Sequence, residues 1–218
     1  MPSASIFRPG LFEGRCAFVT GGTKGIGLAI ARELKSLGAK VFIGSRRPEN
    51  VASGLEALAG IPEGEAEGIA FDIRDESTVD AAIEKCKGRF GRIDFLVNNA
   101  GGQFPSPAMQ MTTKGFDAVI TTNLNANFSV TKAVVTRGMG GGDGAVVNIT
   151  AQVTNGFPMM AHTGAARAGV ENLTRTLALE LAPAGVRVNA VAPGVINSSG
   201  VENYEPAFRE AFLAAADH

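Results

Sequence analysis

Short apolar runs alternate with segments of helical period along the whole chain, and few folds accept that alternation. Parallel neighbours in a sheet need a crossover between them, which a helix supplies. The runs that read as strands are Cys16 to Thr20, Lys40 to Ser45, Gly68 to Asp72, Ile93 to Asn98, Ala145 to Thr150 and Val186 to Ala192. Between them apolar residues recur at helical spacing. The series are Ile26, Ile30, Leu34 and Leu37; Val79, Ile83, Cys86 and Phe90; Phe116, Ile120, Leu124 and Phe128; and Val170, Leu173, Leu177 and Leu181. Each predicts one buried stripe. The expected fold class is α/β, a doubly wound parallel sheet forming one domain over residues 1–218, and 45% hydrophobic content suffices for its core. Six strands are visible. Beyond the last of them come only Pro193 onward and an Ala-rich helix near Glu205 to Ala216. The sixth strand would then be an open apolar edge, which predicts a missing seventh strand in a lost C-terminal segment, and poor solubility or activity without it. The Gly-rich stretch Gly138 to Gly144 precedes a strand and reads as a surface connector.

The first strand runs through Thr20-Gly21-Gly22-Thr23-Lys24-Gly25-Ile26-Gly27 straight into a helix. Glycines there let backbone N–H groups approach a pyrophosphate, and the helix N-terminus offers unpaired donors. Asn98-Asn99-Ala100-Gly101 closes the fourth strand, Asp72-Ile73 closes the third, and Pro193-Gly194 follows the sixth. These motifs, in this order, resemble the short-chain dehydrogenase/reductase family, which implies a Rossmann fold and a dinucleotide. On that resemblance Gly21, Thr23, Lys24, Gly25, Ile26 and Gly27 hold the pyrophosphate, and Asp72 and Ile73 the adenine. Asn99, Ala100, Gly101, Pro193, Gly194, Ile196 and Ser198 complete the cofactor site.

An acidic residue at the end of the second strand would accept the ribose hydroxyls of NAD and repel a 2′-phosphate. Ser45 stands there, followed by Arg46 and Arg47, with Lys24 nearby in the glycine turn. NADPH is therefore the expected cofactor, although two arginines in a loop can also be solvated surface charges.

Most of the family protonates a carbonyl with a Tyr-x-x-x-Lys pair, a Ser and an Asn. Asn123 matches the Asn. The other places depart, with Thr163 at the Tyr, Arg167 at the Lys and Ala151 at the Ser, while the chain's single tyrosine, Tyr204, lies outside the motif. A threonine hydroxyl is too weak an acid to replace a phenol, though it can donate a hydrogen bond.

The stretches Asn98 to Pro107, Gly156-Phe157-Pro158, His162 to Val170 and Val201-Glu202-Asn203-Tyr204 resemble the enoyl-CoA and dienoyl-CoA reductase branch of the family. That implies reduction of a 2-enoyl thioester, with Asn123 supporting water or substrate, Thr163 donating to the thioester oxygen and Arg167 as a cation near the nicotinamide ribose. Gln103 and Phe104, with Thr150, would line the acyl channel. Thr163 and His162 can equally cap the helix that begins there, and Asn123 can equally brace its own.

Two further readings stay open: a carbonyl or alcohol oxidoreductase of the same family, and a catalytically silent NADPH-binding sensor. Net charge is −1, with the charged residues scattered, so neither a nucleic-acid nor a membrane partner is expected. No apolar run approaches the roughly 18 residues of a membrane span, no signal peptide is evident, and no metal is expected. Cys16 and Cys86 both fall on apolar phases and read as core. The expectation is a cytoplasmic protein acting on a small acyl thioester, as a homodimer or homotetramer paired through the Phe116 and Val170 helices.

Overall fold

The computed structural model describes residues 6–198 and 200–214, without the side chains of residues 203 and 211. In chain order the elements are β1 (Cys16–Thr20), α1 (Gly25–Ser36), β2 (Lys40–Ser45), α2 (Pro48–Ala59), β3 (Ala66–Ala70), α3 (Glu76–Phe90) and β4 (Phe95–Asn98). They continue with α4 (Thr113–Ile120), α5 (Ala126–Ala133), β5 (Gly144–Ile149), α6 (Ala161–Leu181), β6 (Val186–Val191) and α7 (Pro206–Ala214). The six strands lie in the order β3-β2-β1-β4-β5-β6, every pair parallel. This is the doubly wound Rossmann arrangement. Its strand order reverses between β1 and β4, and ligands of such sheets bind in the crevice at that point.

The pleat divides the core in two. Cys16 and Phe18 on β1, Phe42 on β2 and Leu96 on β4 face one side, where α3 brings Val79, Ile83, Cys86 and Phe90, α5 brings Val130 and α6 brings Leu177. Val19, Val41, Ile43 and Val97 face the other, under Ala31 of α1 and Leu58 of α2. Burying each such large side chain contributes roughly 1.5–3 kcal/mol. Cys16 and Cys86 are both buried and free, their sulfurs 3.6 Å apart.

Besides one-residue shifts at β5 and β6, three features differ from the sequence reading. β3 lies two residues earlier than Gly68 to Asp72, because Val41 pairs with Ala66 and Ser45 with Ala70. Phe71 then folds across Gly44, where a Cβ would lie 1.9 Å from its ring. Asp72 is thereby released to the crevice. β4 starts at Phe95 and not Ile93, since the buried carboxylate of Asp94 accepts from the Cys16 N–H at 2.8 Å and pairs with Arg15 at 2.9 Å and Arg92 at 3.1 Å. The helix over residues 113–138 contains two π turns, Thr121–Asn125 and Val134–Gly138. Each inserts a residue and rotates the buried face. That face therefore carries Val119, Asn123, Ala126, Val130 and Val134, while Phe128 of the expected stripe is 45% exposed.

The connector after this helix turns through Gly140, Gly141, Gly142 and Asp143, all at positive φ. Among the described residues no strand pairs with the outer edge of β6, the helix after it runs over Pro206–Ala214, and Ala216 lies outside them. None of the described helices is long and apolar enough to cross a membrane.

Candidate active site

At the carboxyl ends of β1, β2 and β4 lies an open cleft of about 620 Å³, and a second of about 410 Å³ adjoins it, sharing Ile26, Asn99 and Gly101 to Phe104. The first is walled by the turn from Gly21 to Gly27. Gly21 and Gly25 adopt φ of +63° and +52°, where a side chain would be unfavourable. The backbone N–H groups of Asn99 and Ala100 each donate to Thr20 Oγ1 at 3.0 Å. Asn99 Nδ2 donates to the carbonyls of Thr20 and Gly21, both at 3.1 Å. β4 thus holds the turn that follows β1. No side chain caps α1, and its first turn carries no acidic residue. Its first N–H groups and the positive end of its dipole are left for an anion. Gly21, Thr23, Lys24, Gly25, Ile26 and Gly27 all line the cleft, and a pyrophosphate fits this cradle.

Ser45, Arg46, Asp72 and Ile73 line the far end. Arg47 does not. It occupies the N-cap position of α2, where its N–H donates to Ser45 Oγ at 3.4 Å and the chain already turns away. Arg74 takes a place that the sequence reading missed. It clasps Asp72 through Nη2–Oδ2 at 2.5 Å and Nε–Oδ1 at 2.9 Å. The Arg74 hydrogen bond, aided by the charges of Arg74 and Arg46, holds the Asp72 carboxyl at about 2. Asp72 is therefore already matched, and Lys24 and Arg46 supply surplus positive charge. The signal for Arg74 was the cation two residues after the adenine-contact position.

Thr150, Ala151, Arg167, Pro193, Gly194, Ile196 and Ser198 line the second cleft, with Gln103 and Phe104 on its rim. Arg167 Nη1 donates to the Ile149 carbonyl at 2.9 Å. Burial pushes its pKa down to about 10, so it remains cationic near neutral pH. No carboxylate among the described residues forms an ion pair with it. Its Nη2 reaches Gly101, where a Cβ would lie 2.7 Å away and 2.6 Å from Asn123 Oδ1. Asn123 is 1% exposed and spends both ends of its amide on Gly102, accepting from its N–H at 3.0 Å and donating to its carbonyl at 2.9 Å. It braces the loop that faces the cleft. Thr150 Oγ1 donates to the Val191 carbonyl at 3.2 Å.

Thr163, expected beside the thioester, lines neither cleft. It is 0% exposed, with Oγ1 3.1 Å from Nδ1 of His162. His162 accepts from the Thr163 N–H at 2.7 Å and lies under the ring of Phe104, at 4.6 Å between centroids. Desolvation lowers its pKa, which keeps it neutral. Tyr204, outside the Tyr-x-x-x-Lys motif and expected in no site role, lines the second cleft, and Gln103 Nε2 donates to its hydroxyl at 2.5 Å. The signal available was its position just beyond the sixth strand, on the crevice side of such a sheet.

The family model for short chain dehydrogenase matches residues 15–207. The peroxisomal 2,4-dienoyl-CoA reductase of Danio rerio is 36% identical over 200 residues, which cover 91% of this chain and 66% of that enzyme. The chain thus spans just under two thirds of that relative's length. Among solved structures, a citronellol catabolism dehydrogenase of Pseudomonas aeruginosa superposes with a TM-score of 0.84 at 44% identity, covering 88% of this chain and 79% of its own. An actinorhodin polyketide ketoreductase solved with NADPH gives 0.78 at 34% identity, covering 86% and 73%.

Proposed function

The chain belongs to the short-chain dehydrogenase family, and we propose that within it the protein is an NADPH-dependent reductase of 2-enoyl thioesters. The observation that carries this reading is the pair of vacated acid positions beside an intact cofactor cradle. Ala151 lines the cleft where the family's Ser would stand, and Thr163 is buried away from it. Reduction of a simple ketone wants a donor that gives up its proton to the carbonyl oxygen, as the family's Tyr-x-x-x-Lys pair does, and no lysine among the described residues lines the second cleft. Conjugate reduction wants stabilisation of an oxyanion, and water can protonate the carbon.

The glycine turn and the uncapped start of α1 would hold the pyrophosphate. Arg46 and Lys24 would take the 2′-phosphate, with Asp72 kept from opposing it by Arg74. Bound there, the nicotinamide supplies a hydride. Arg167, cationic and without a carboxylate partner among the described residues, places positive charge beside Gly101 at the reaction end. Asn123 keeps the Gly102 loop, and hence Gln103 and Phe104, against the incoming acyl chain. Similarity to a 2,4-dienoyl-CoA reductase supports the substrate class. The proposed homodimer or homotetramer would pair through the half-exposed face of α5 and α6, where Leu124 approaches Gly169 and Phe128 is 45% exposed.

Similarity to a 3-oxoacyl-[acyl-carrier-protein] reductase of Escherichia coli, 37% identical over 188 residues, favours one rival, reduction of a 3-oxoacyl thioester. Cofactor oxidation measured with matched 2-enoyl and 3-oxoacyl thioesters separates the two. The enoyl substrate should be consumed and the oxoacyl substrate hardly at all. The reverse order would overturn the proposal, and inertness towards both in a protein that binds NADPH would favour a sensor.

A further inference from the structure

Arg167 and Tyr204 are the two ionisable side chains among the described residues on the wall of the second cleft. Arg167 is a fixed cation. Tyr204 presents a phenol hydroxyl whose hydrogen-bond partner is the Gln103 amide. The Gln103 amide donates to the phenol oxygen at 2.5 Å, so the single O–H of Tyr204 must seek another acceptor. No carboxylate on that wall competes for it.

The ring is held from two directions. It meets Phe208 edge-on at 5.3 Å and 86° and Phe212 at 5.7 Å and 72°, both from α7. Aromatic pairs of this geometry fix orientation as well as burying area. On the other side Gln103 follows Gly102, whose backbone Asn123 grips at both ends. A chain of contacts therefore runs from the π turn of the long helix, through the loop after β4, to the phenol.

We propose that Tyr204 is a catalytic residue that donates a hydrogen bond to the thioester oxygen, with Gln103 as its positioning residue. The assignment rests on the reading of the protein as a 2-enoyl thioester reductase. When a hydride adds at Cβ, the π pair of the C=C bond shifts toward the carbonyl and negative charge gathers on its oxygen. Tyr204 keeps its proton and binds that oxygen, while Arg167 adds positive potential. Water then delivers a proton to Cα, the hydroxide left behind takes a proton from bulk solvent, the carbonyl re-forms and the C–S bond stays intact. The alkene has gained one hydride and one proton. Tyr204, which lines the cleft, thus takes the hydrogen-bonding part that the sequence resemblance gave to Thr163, which does not.

The test is isotope-edited infrared spectroscopy of a carbonyl-labelled 2-enoyl thioester bound to the protein with oxidised cofactor, alongside steady-state kinetics. In the unaltered protein the carbonyl stretch should fall below its frequency in a medium without hydrogen-bond donors. Tyr204→Phe, which keeps the ring, should return most of that shift and lower kcat on the order of 10- to 100-fold, the scale of losing one oxyanion donor. NADPH affinity should hold. Gln103→Ala, which leaves the phenol in place, should return part of the shift, and it carries the test alone if Tyr204→Phe does not fold. A carbonyl shift that survives Tyr204→Phe, or survives Gln103→Ala when only that variant folds, overturns the assignment while enoyl reduction stands. An unaltered protein that reduces oxoacyl and not enoyl thioesters overturns the substrate class, and this assignment with it.

Discussion

Gly27→Ala should cripple cofactor binding, and the size of the effect follows from what a methyl group would meet. An added Cβ would lie 2.3 Å from the Gly21 carbonyl oxygen and 2.4 Å from Asn99 Nδ2. Neither neighbour is a free side-chain end, since Asn99 Nδ2 is itself bonded to the Thr20 and Gly21 carbonyls. The turn must therefore shift. Overpacking of this kind costs about 1–3 kcal/mol, and each Asn99 bond lost adds about 0.5–1.5 kcal/mol. Because the same turn presents the phosphate donors, the NADPH dissociation constant should rise on the order of 10- to 100-fold. The melting temperature should fall by about 2–12 °C from the overpacking alone, and further with each Asn99 bond lost. Isothermal titration and thermal melts measure the two effects. Gly60→Ala is the control, because that Cβ would meet nothing within 4 Å and the residue has an ordinary φ of −74°. A Gly27→Ala protein that binds NADPH as tightly as its parent would refute this turn as the phosphate cradle.

Arg46→Asp should abolish a preference for NADPH over NADH of roughly 10- to 100-fold, since a charged hydrogen bond contributes about 1.5–3 kcal/mol; equal dissociation constants in the unaltered protein would contradict the cofactor choice. Asp72 is held near 2 by Arg74. Its depressed carboxyl contributes stability that is present above the ordinary value of about 3.9 and is lost as pH falls through the folded one. Arg74→Ala should move that titration up toward the ordinary range in a carboxyl NMR titration, and an unmoved resonance would show that the clasp is not its cause. Asn123→Ala removes two bonds to Gly102, so urea unfolding should register a loss of about 1–3 kcal/mol. KM for the thioester should rise as the loop loosens, and an unchanged KM would separate Asn123 from the substrate.

How legible each part was depended on whether its cause was local. β1 and β2 are apolar runs buried on both faces, and their boundaries match the sequence reading residue for residue. β3 reads Ala-Glu-Gly-Ile-Ala, a half-buried edge strand with little pattern of its own, and only its pairing with β2 fixes where it starts. Helical period marked the long helix but not its face, since the π turns that rotate it leave no periodic trace. The glycine turn was visible because its chemistry is contiguous. Thr163 and Tyr204 were not, because their exposure is decided by distant segments. Phe104 packs against His162 at the start of α6, and Gln103 meets Tyr204 across 101 residues of chain.

The central claim is a reaction, and the position of a label tests it most directly. When the protein turns over a 2-enoyl thioester with deuterated NADPH, mass spectrometry and NMR of the product should find deuterium at Cβ. The same reaction in heavy water with unlabelled NADPH should place deuterium at Cα, because solvent supplies that proton. Deuterium found instead on a carbinol carbon of a reduced oxoacyl substrate, with the enoyl thioester returned unchanged, would contradict the account.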